Sequence, residues 1–76
     1  MPRIYREKKS VIRNLRQQLN MFQAELADML KITQTMVSKF ERFEKKPSEK
    51  MMIKLMAIAH RYGIRLTQKM IEEDYE

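Results

Sequence analysis

With 76 residues and a single glycine, the chain has the size of one small domain, near the length at which a lone hydrophobic core supplies only a few kcal/mol. It contains no cysteine, which excludes a disulfide framework, a thiol nucleophile and a Cys-based zinc site. The net charge of +6 is unevenly placed: residues 1–46 hold 11 Lys/Arg against 5 Asp/Glu, while residues 47–76 hold 5 of each, the pattern left by a polyanion-binding face.

A membrane role fits the sequence less well than nucleic acid. The longest apolar-rich stretch, Met51–Ala59, is broken by Lys54 and is too short to span a bilayer. Nothing resembles a signal peptide, so a soluble cytoplasmic protein is expected. The predicted helices are core-forming, and no exposed bulky aromatics are expected on the basic side, as a surface-lying membrane helix would require.

Taken in order, residues 1–9 form a basic arm with Arg3, Arg6, Lys8 and Lys9 against one acid, Glu7. Such an arm either follows a phosphate backbone or is frayed and solvated. Residues 10–76 are expected to make the single domain. A first helix is predicted from about Glu7 or Ser10 to Leu19, with Ile12, Leu15 and Leu19 at i, i+3 and i+7. Asn20 ends it, since Asn tolerates the left-handed backbone better than most residues.

A second helix follows over Gln23–Leu30, its stripe made by Leu26, Ala27 and Leu30. Phe22 stands at its N-cap position without a capping oxygen, so its expected role is packing. A break of about four residues leads to a third helix capped by Thr33, with Met36, Val37 and Phe40 as its stripe. Two helices joined so closely cannot run antiparallel over a long contact and must cross steeply. Residues 23–41 therefore read as a helix-turn-helix, whose second helix enters the DNA major groove.

The third helix separates its faces by chemistry. With Val37 at 0° and 100° per residue, Thr33, Met36 and Phe40 fall between about 260° and 320°, and Gln34, Ser38, Arg42, Thr35 and Lys39 occupy about 60° to 200°. The second set carries amides, hydroxyls and cations and no carboxylate. Gln pairs bidentately with adenine, Ser and Thr with either base, and Lys or Arg with guanine or phosphate. A solvated face of any short helix is also polar; the missing acids distinguish this one. Gln23, at the start of the second helix, stands where free N–H groups and the helix dipole favour a phosphate.

Beyond Arg42, Pro47 forces a loop in which Lys45 and Lys46 are placed to meet the DNA backbone or simply to solvate the surface. Ser48 caps a fourth helix, Glu49–Tyr62, with Leu55, Ile58, Ala59 and Tyr62 as its stripe and Gly63 as its stop. Ile64 and Leu66 are expected to pack back on the core. A short fifth helix over Thr67–Asp74 presents Met70 and Ile71 and must dock on the domain or on a partner. The acids Glu72, Glu73, Asp74 and Glu76 read as a solvated tail. The expected architecture is all-α, five compact helices.

At this point the motifs resemble the lambda-repressor-like, or XRE-type, helix-turn-helix family. VIRNLR, FQAELADML, ITQTMVSKFE, KKPS and LMAIAHRYGI match its successive segments in order over about Val11–Ile64. The resemblance implies that Gln23 contacts a phosphate and braces Gln34, that Gln34, Thr35 and Lys39 face base edges, and that Ser38 lies at the backbone or groove. It also implies a partly buried ion pair between Arg16 and Glu41. The chain departs from the family at Lys31, where Gly is usual, so a left-handed Lys or a reshaped turn is expected. Arg42-Phe43 replaces the usual Asn-Gly, which moves the expected phosphate contact to the Arg42 side chain. The fourth helix region is about three residues longer than usual, with Met51, Met52 or Met56 expected partly exposed.

No acid, His or Cys cluster stands at metal-ligand spacing, and the single histidine, His60, needs no role, so neither an enzyme nor a metal or other cofactor is expected. The expected partners are double-stranded DNA, as a pseudo-palindromic operator, and a second copy of the chain meeting it through the fourth and fifth helices. The alternative is an antitoxin that binds a toxin protein, through its Met-rich surface or tail, and represses its own operon.

Overall fold

Four hydroxyl side chains set where helices begin. The computed structural model describes residues 9–76 as five α-helices: α1 (Val11–Gln18), α2 (Gln23–Leu30), α3 (Gln34–Glu41), α4 (Glu49–Arg61) and α5 (Gln68–Glu73). No strand occurs among the described residues. Ser10, Thr33, Ser48 and Thr67 are the N-caps of α1, α3, α4 and α5, and each side-chain oxygen accepts from the backbone N–H three residues on, at 2.9–3.2 Å. Losing such a cap typically costs about 1 kcal/mol. The arm over residues 1–9 lies outside the described residues except for Lys9, whose ammonium donates to Gln17 Oε1 at 3.2 Å.

Four helices stop in the same way. Asn20, Lys31, Phe43 and Gly63 all have positive φ, at 55°, 61°, 61° and 72°. Around each, two backbone N–H groups turn back onto the last carbonyls, as in Met21→Arg16 and Asn20→Gln17, or Ile32→Ala27 and Lys31→Asp28. The same pairs recur as Glu44→Lys39 with Phe43→Phe40 and as Ile64→Ala59 with Gly63→His60. These are Schellman motifs, which satisfy carbonyls left over at a helix end. Lys31 thus takes the left-handed backbone rather than a reshaped turn. Phe43 was not foreseen there.

The core draws on every helix: Ile12 and Leu15 from α1, Leu26, Ala27 and Leu30 from α2, Val37 and Phe40 from α3, Met52, Leu55, Ile58 and Ala59 from α4, and Ile71 from α5. Burying one such large apolar side chain contributes about 1.5–3 kcal/mol. α2 packs most extensively on α3, and α4 packs on α2 and α5, with the Lys54 ammonium donating to the Leu30 carbonyl of α2 at 3.3 Å. Ile64, Leu66, Met51 and Met56 pack half-buried against the core, while Met52 is buried.

Three expectations need correction. Phe22 does not pack: it is 77% exposed, so the basic half does display a bulky aromatic. Its position is held instead by Glu25, whose carboxylate accepts from the Phe22 backbone N–H at 2.8 Å, leaving the ring free of any anchoring duty. Tyr62 is 50% exposed, because α4 ends at Arg61 and Tyr62, as its C-cap, leaves the helical stripe. The acidic tail is not simply solvated. Asp74 accepts from the Val11 backbone N–H at 2.8 Å and so satisfies a donor in the first turn of α1.

Candidate nucleic-acid interface

Gln34, at the first turn of α3, directs its amide toward α2. Its Nε2 lies 3.5 Å from Gln23 Oε1, and Gln23 Nε2 donates in turn to Glu41 Oε1 at 3.1 Å. Glu41 is buried and is gripped by Arg16, with Nε donating to Oε2 at 2.7 Å and a terminal guanidinium nitrogen to Oε1 at 3.0 Å. The other terminal nitrogen of Arg16 donates to the Met21 carbonyl at 2.9 Å. Hydrogen bonding to Glu41 raises the Arg16 pKa above its ordinary value against the opposing effect of burial. One chain of polar contacts therefore runs Arg16–Glu41–Gln23–Gln34, fixing both ends of α3 relative to α1 and α2. A bidentate Arg–carboxylate contact is the stiffest such link available.

Five of the nine sequence-predicted DNA-binding residues meet in one place. Gln23, Gln34, Thr35, Ser38 and Arg42 line a shallow depression of about 300 Å³ along the outer face of α3. Gln34, Thr35 and Arg42 are exposed; Gln23 and Ser38 are half-buried. Two amides, two hydroxyls and a guanidinium thus line the depression, and no carboxylate does. Thr33, Lys39, Lys45 and Lys46 are exposed but do not line it. The Thr33 hydroxyl is engaged as the α3 cap. Lys39 sits in the last turn of α3, where its charge also suits the negative end of the dipole.

Arg42 is not idle. Its Nε and a terminal nitrogen donate to the two oxygens of Glu44 at 3.0 and 3.2 Å, both side chains being more than half exposed. That hydrogen bond from Arg42 is the chief reason the Glu44 carboxyl is held below the usual carboxylate range. The pair forms because the chain turns just past the C-cap of α3, a geometry that helical spacing does not signal. The backbone N–H groups of Phe43 and Glu44 are both committed to α3 carbonyls, so the loop offers a phosphate side chains rather than these amides.

A polar, cation-bearing face on the second of two tightly joined helices is the defining surface of one class of DNA-binding domain. A family model described as Helix-turn-helix matches residues 12–68. The chain belongs to the lambda-repressor-like helix-turn-helix family. No curated protein and no solved structure gives a match. The matched span runs from Ile12, the second residue of α1, through α4 to the first residue of α5, and so takes in the whole helix-turn-helix unit. This helix-turn-helix protein is a DNA-binding regulator of the XRE type. Among the described residues no group of three His, Cys, Asp or Glu side chains is placed to hold a metal ion, and no helix is long and apolar enough to cross a membrane.

Proposed function

We propose that this protein is a small, cytoplasmic, sequence-specific repressor that binds a pseudo-palindromic operator as a homodimer. α3 enters the major groove, with Gln34, Thr35 and Lys39 at base edges and Ser38 at the groove wall. Gln23, Thr33, Arg42, Lys45 and Lys46 meet the phosphate backbone, and the protein acts by binding rather than by catalysis. The observation that carries this reading is the carboxylate-free depression along α3, anchored by the Arg16–Glu41–Gln23–Gln34 chain. Specificity of the α3 face requires that it be presented rigidly, and this chain of contacts supports that. One copy makes only a handful of phosphate contacts, too few for tight binding at physiological salt, which favours two copies on two half-sites a helical turn apart.

The test is fluorescence anisotropy with the DNA flanking the gene, across a salt series, with random duplex as competitor. Tight binding to one segment that saturates at two chains is the expected result. Binding equal on random DNA would overturn sequence specificity, and saturation at one chain would overturn the dimer.

A second reading has its own observation. Ile53 on α4 is 58% exposed and Met56, three residues on along the same face, is half-buried, an apolar surface suited to protein docking. An antitoxin would use it to hold a toxin while repressing its own operon. Co-purification with the product of a neighbouring gene at fixed stoichiometry would favour this version, and a clean homodimer would favour the plain repressor.

A further inference from the structure

Tyr75 lies beyond the last helix, yet its hydroxyl donates to the carbonyl of Phe40 at 2.7 Å, across 35 residues of sequence. Phe40 belongs to the last turn of α3, where carbonyls lack partners within the helix. The same carbonyl accepts from the Phe43 N–H at 3.2 Å, and the Phe43 ring stands against the Tyr75 ring with centroids 6.0 Å apart and planes tilted by 59°. Phe43 is left-handed, a conformation that a residue bearing a Cβ adopts at a cost and keeps only where neighbours hold it. Between Phe40 and Phe43 stands Arg42, the cation at the wall of the α3 depression.

We propose that Tyr75 is a positioning residue for DNA binding: by holding the Phe40 carbonyl and the Phe43 ring, it fixes the turn that aims Arg42 at a phosphate. This rests on the reading of Arg42 as a backbone contact given above. Asp74, the preceding residue, ties the same segment to the first turn of α1 through Val11. The C-terminal pair therefore connects the start of α1 to the end of α3. Half-buried as it is, the phenol stays neutral and keeps its proton for the Phe40 carbonyl: burial first, then the carboxylates of Asp74 and Glu41, push its pKa up.

Two measurements test the assignment, each on the full chain carrying Tyr75→Phe, which removes the hydroxyl and leaves the ring. The first needs no DNA: amide hydrogen exchange at Phe43 and Glu44 is expected to speed up relative to the core amides of α2. Unchanged exchange there overturns the proposal whether or not the protein binds DNA, so its failure is distinguishable from failure of the DNA-binding reading. The second is anisotropy at a temperature where circular dichroism shows full folding. Affinity for the flanking DNA is expected to fall about fivefold, the scale of one hydrogen bond, with a salt slope reduced by up to about one phosphate contact. In an Arg42→Ala background the same substitution is expected to have no further effect. An equal loss with and without Arg42, or an unchanged salt slope in the folded variant, overturns the proposal and leaves Tyr75 with a purely structural part. If Tyr75→Phe alone is not folded, the pair is compared in the Lys31→Gly background, which relieves backbone strain elsewhere.

Discussion

Arg16 and Glu41, 25 residues apart, meet in a two-pronged contact of 2.7 and 3.0 Å between side chains that retain only 14% and 5% of their surface in water. Arg16 sits in the last turn of α1 and Glu41 in the last turn of α3, so the pair joins the first helix to the one that carries the DNA-facing residues. Glu41→Gln leaves the guanidinium charge stranded in a mostly dry site. Breaking such a pair costs about 3 kcal/mol, the lower end of the usual range because Arg16 is not fully buried. Urea unfolding is expected to show this loss as a lower midpoint at unchanged slope.

Gln34→Ala separates a base reader from a backbone contact. Removal of a base contact is expected to cost about 1–3 kcal/mol on the flanking operator and far less on random duplex. The Gln23 amide, no longer facing Gln34, retains its bond to Glu41, so the fold is expected to hold. Competition anisotropy on the two DNAs decides it. An equal loss on both would remove Gln34 from the base-reading set.

Glu44 occupies the guanidinium that the proposed phosphate contact requires, and its own carboxylate faces the region where a polyanion would lie. Glu44→Gln removes both obstacles. Affinity for DNA is expected to rise roughly threefold to tenfold at low salt, because Arg42 no longer has to leave Glu44 to meet its phosphate and one repelling carboxylate is gone, and the gain is expected to shrink as salt rises. A titration of salt from low to physiological strength checks this trend. An unchanged affinity would mean that Arg42 stays with its neighbour or plays no part in binding.

Lys31 carries a side chain at φ 61° and ψ 43°, where glycine is at no disadvantage. Lys31→Gly relieves about 1–2 kcal/mol of left-handed strain and gives back part of it through a freer unfolded chain. A net gain of roughly 0.5–1 kcal/mol in unfolding free energy is expected.

The Tyr75 phenol gives a pH signature. Its pKa is raised in the folded protein above the unfolded value of about 10. Folding therefore favours the protonated form. The stabilisation is complete below about pH 10 and is lost as pH climbs from there toward the folded pKa. Wild type is expected to lose stability over that alkaline range more steeply than Tyr75→Phe. The difference in absorbance near 295 nm between the two should reveal one phenolate that forms late, together with unfolding.

Much of this architecture could be read from local signals. The bounds of α2 follow from Leu26, Ala27 and Leu30 on one stripe, and the starts of α1, α3, α4 and α5 from Ser or Thr just ahead of an apolar run. Asn20 and Gly63 marked two of the left-handed stops, and at Lys31 only the family resemblance pointed to a left-handed residue or a reshaped turn. What local reading missed was set by contacts made across the chain. Phe43 takes a left-handed backbone, which no sequence propensity of Phe suggests, beside the ring of Tyr75. Asp74 looked like one more acid in a charged tail because its partner, the Val11 N–H, lies 63 positions away. Phe22 failed in the opposite direction: its apolar side chain suggested packing, while the fold assigned the work at that helix start to Glu25. In the interface, helical periodicity alone grouped Gln34, Thr35, Ser38, Lys39 and Arg42, of which all but Lys39 line the same depression. The Arg42–Glu44 contact escaped because a pair two apart does not share a face in a helix, and Glu44 lies past the helix end.

The bond from Val11 to Asp74 also bears on the order in which the molecule assembles. The α2–α3 unit and its turn can form from neighbouring residues, where loop closure is cheap, but Val11 and Asp74 find each other only when nearly everything between them is already in place. The clasp is thus expected to form late on folding and to be released early on opening. Excursions in which residues past Ile71 peel away, while α2 and α3 stay intact, are expected to be the lowest-energy partial unfolding of this protein, with the slowest-exchanging amides in α2.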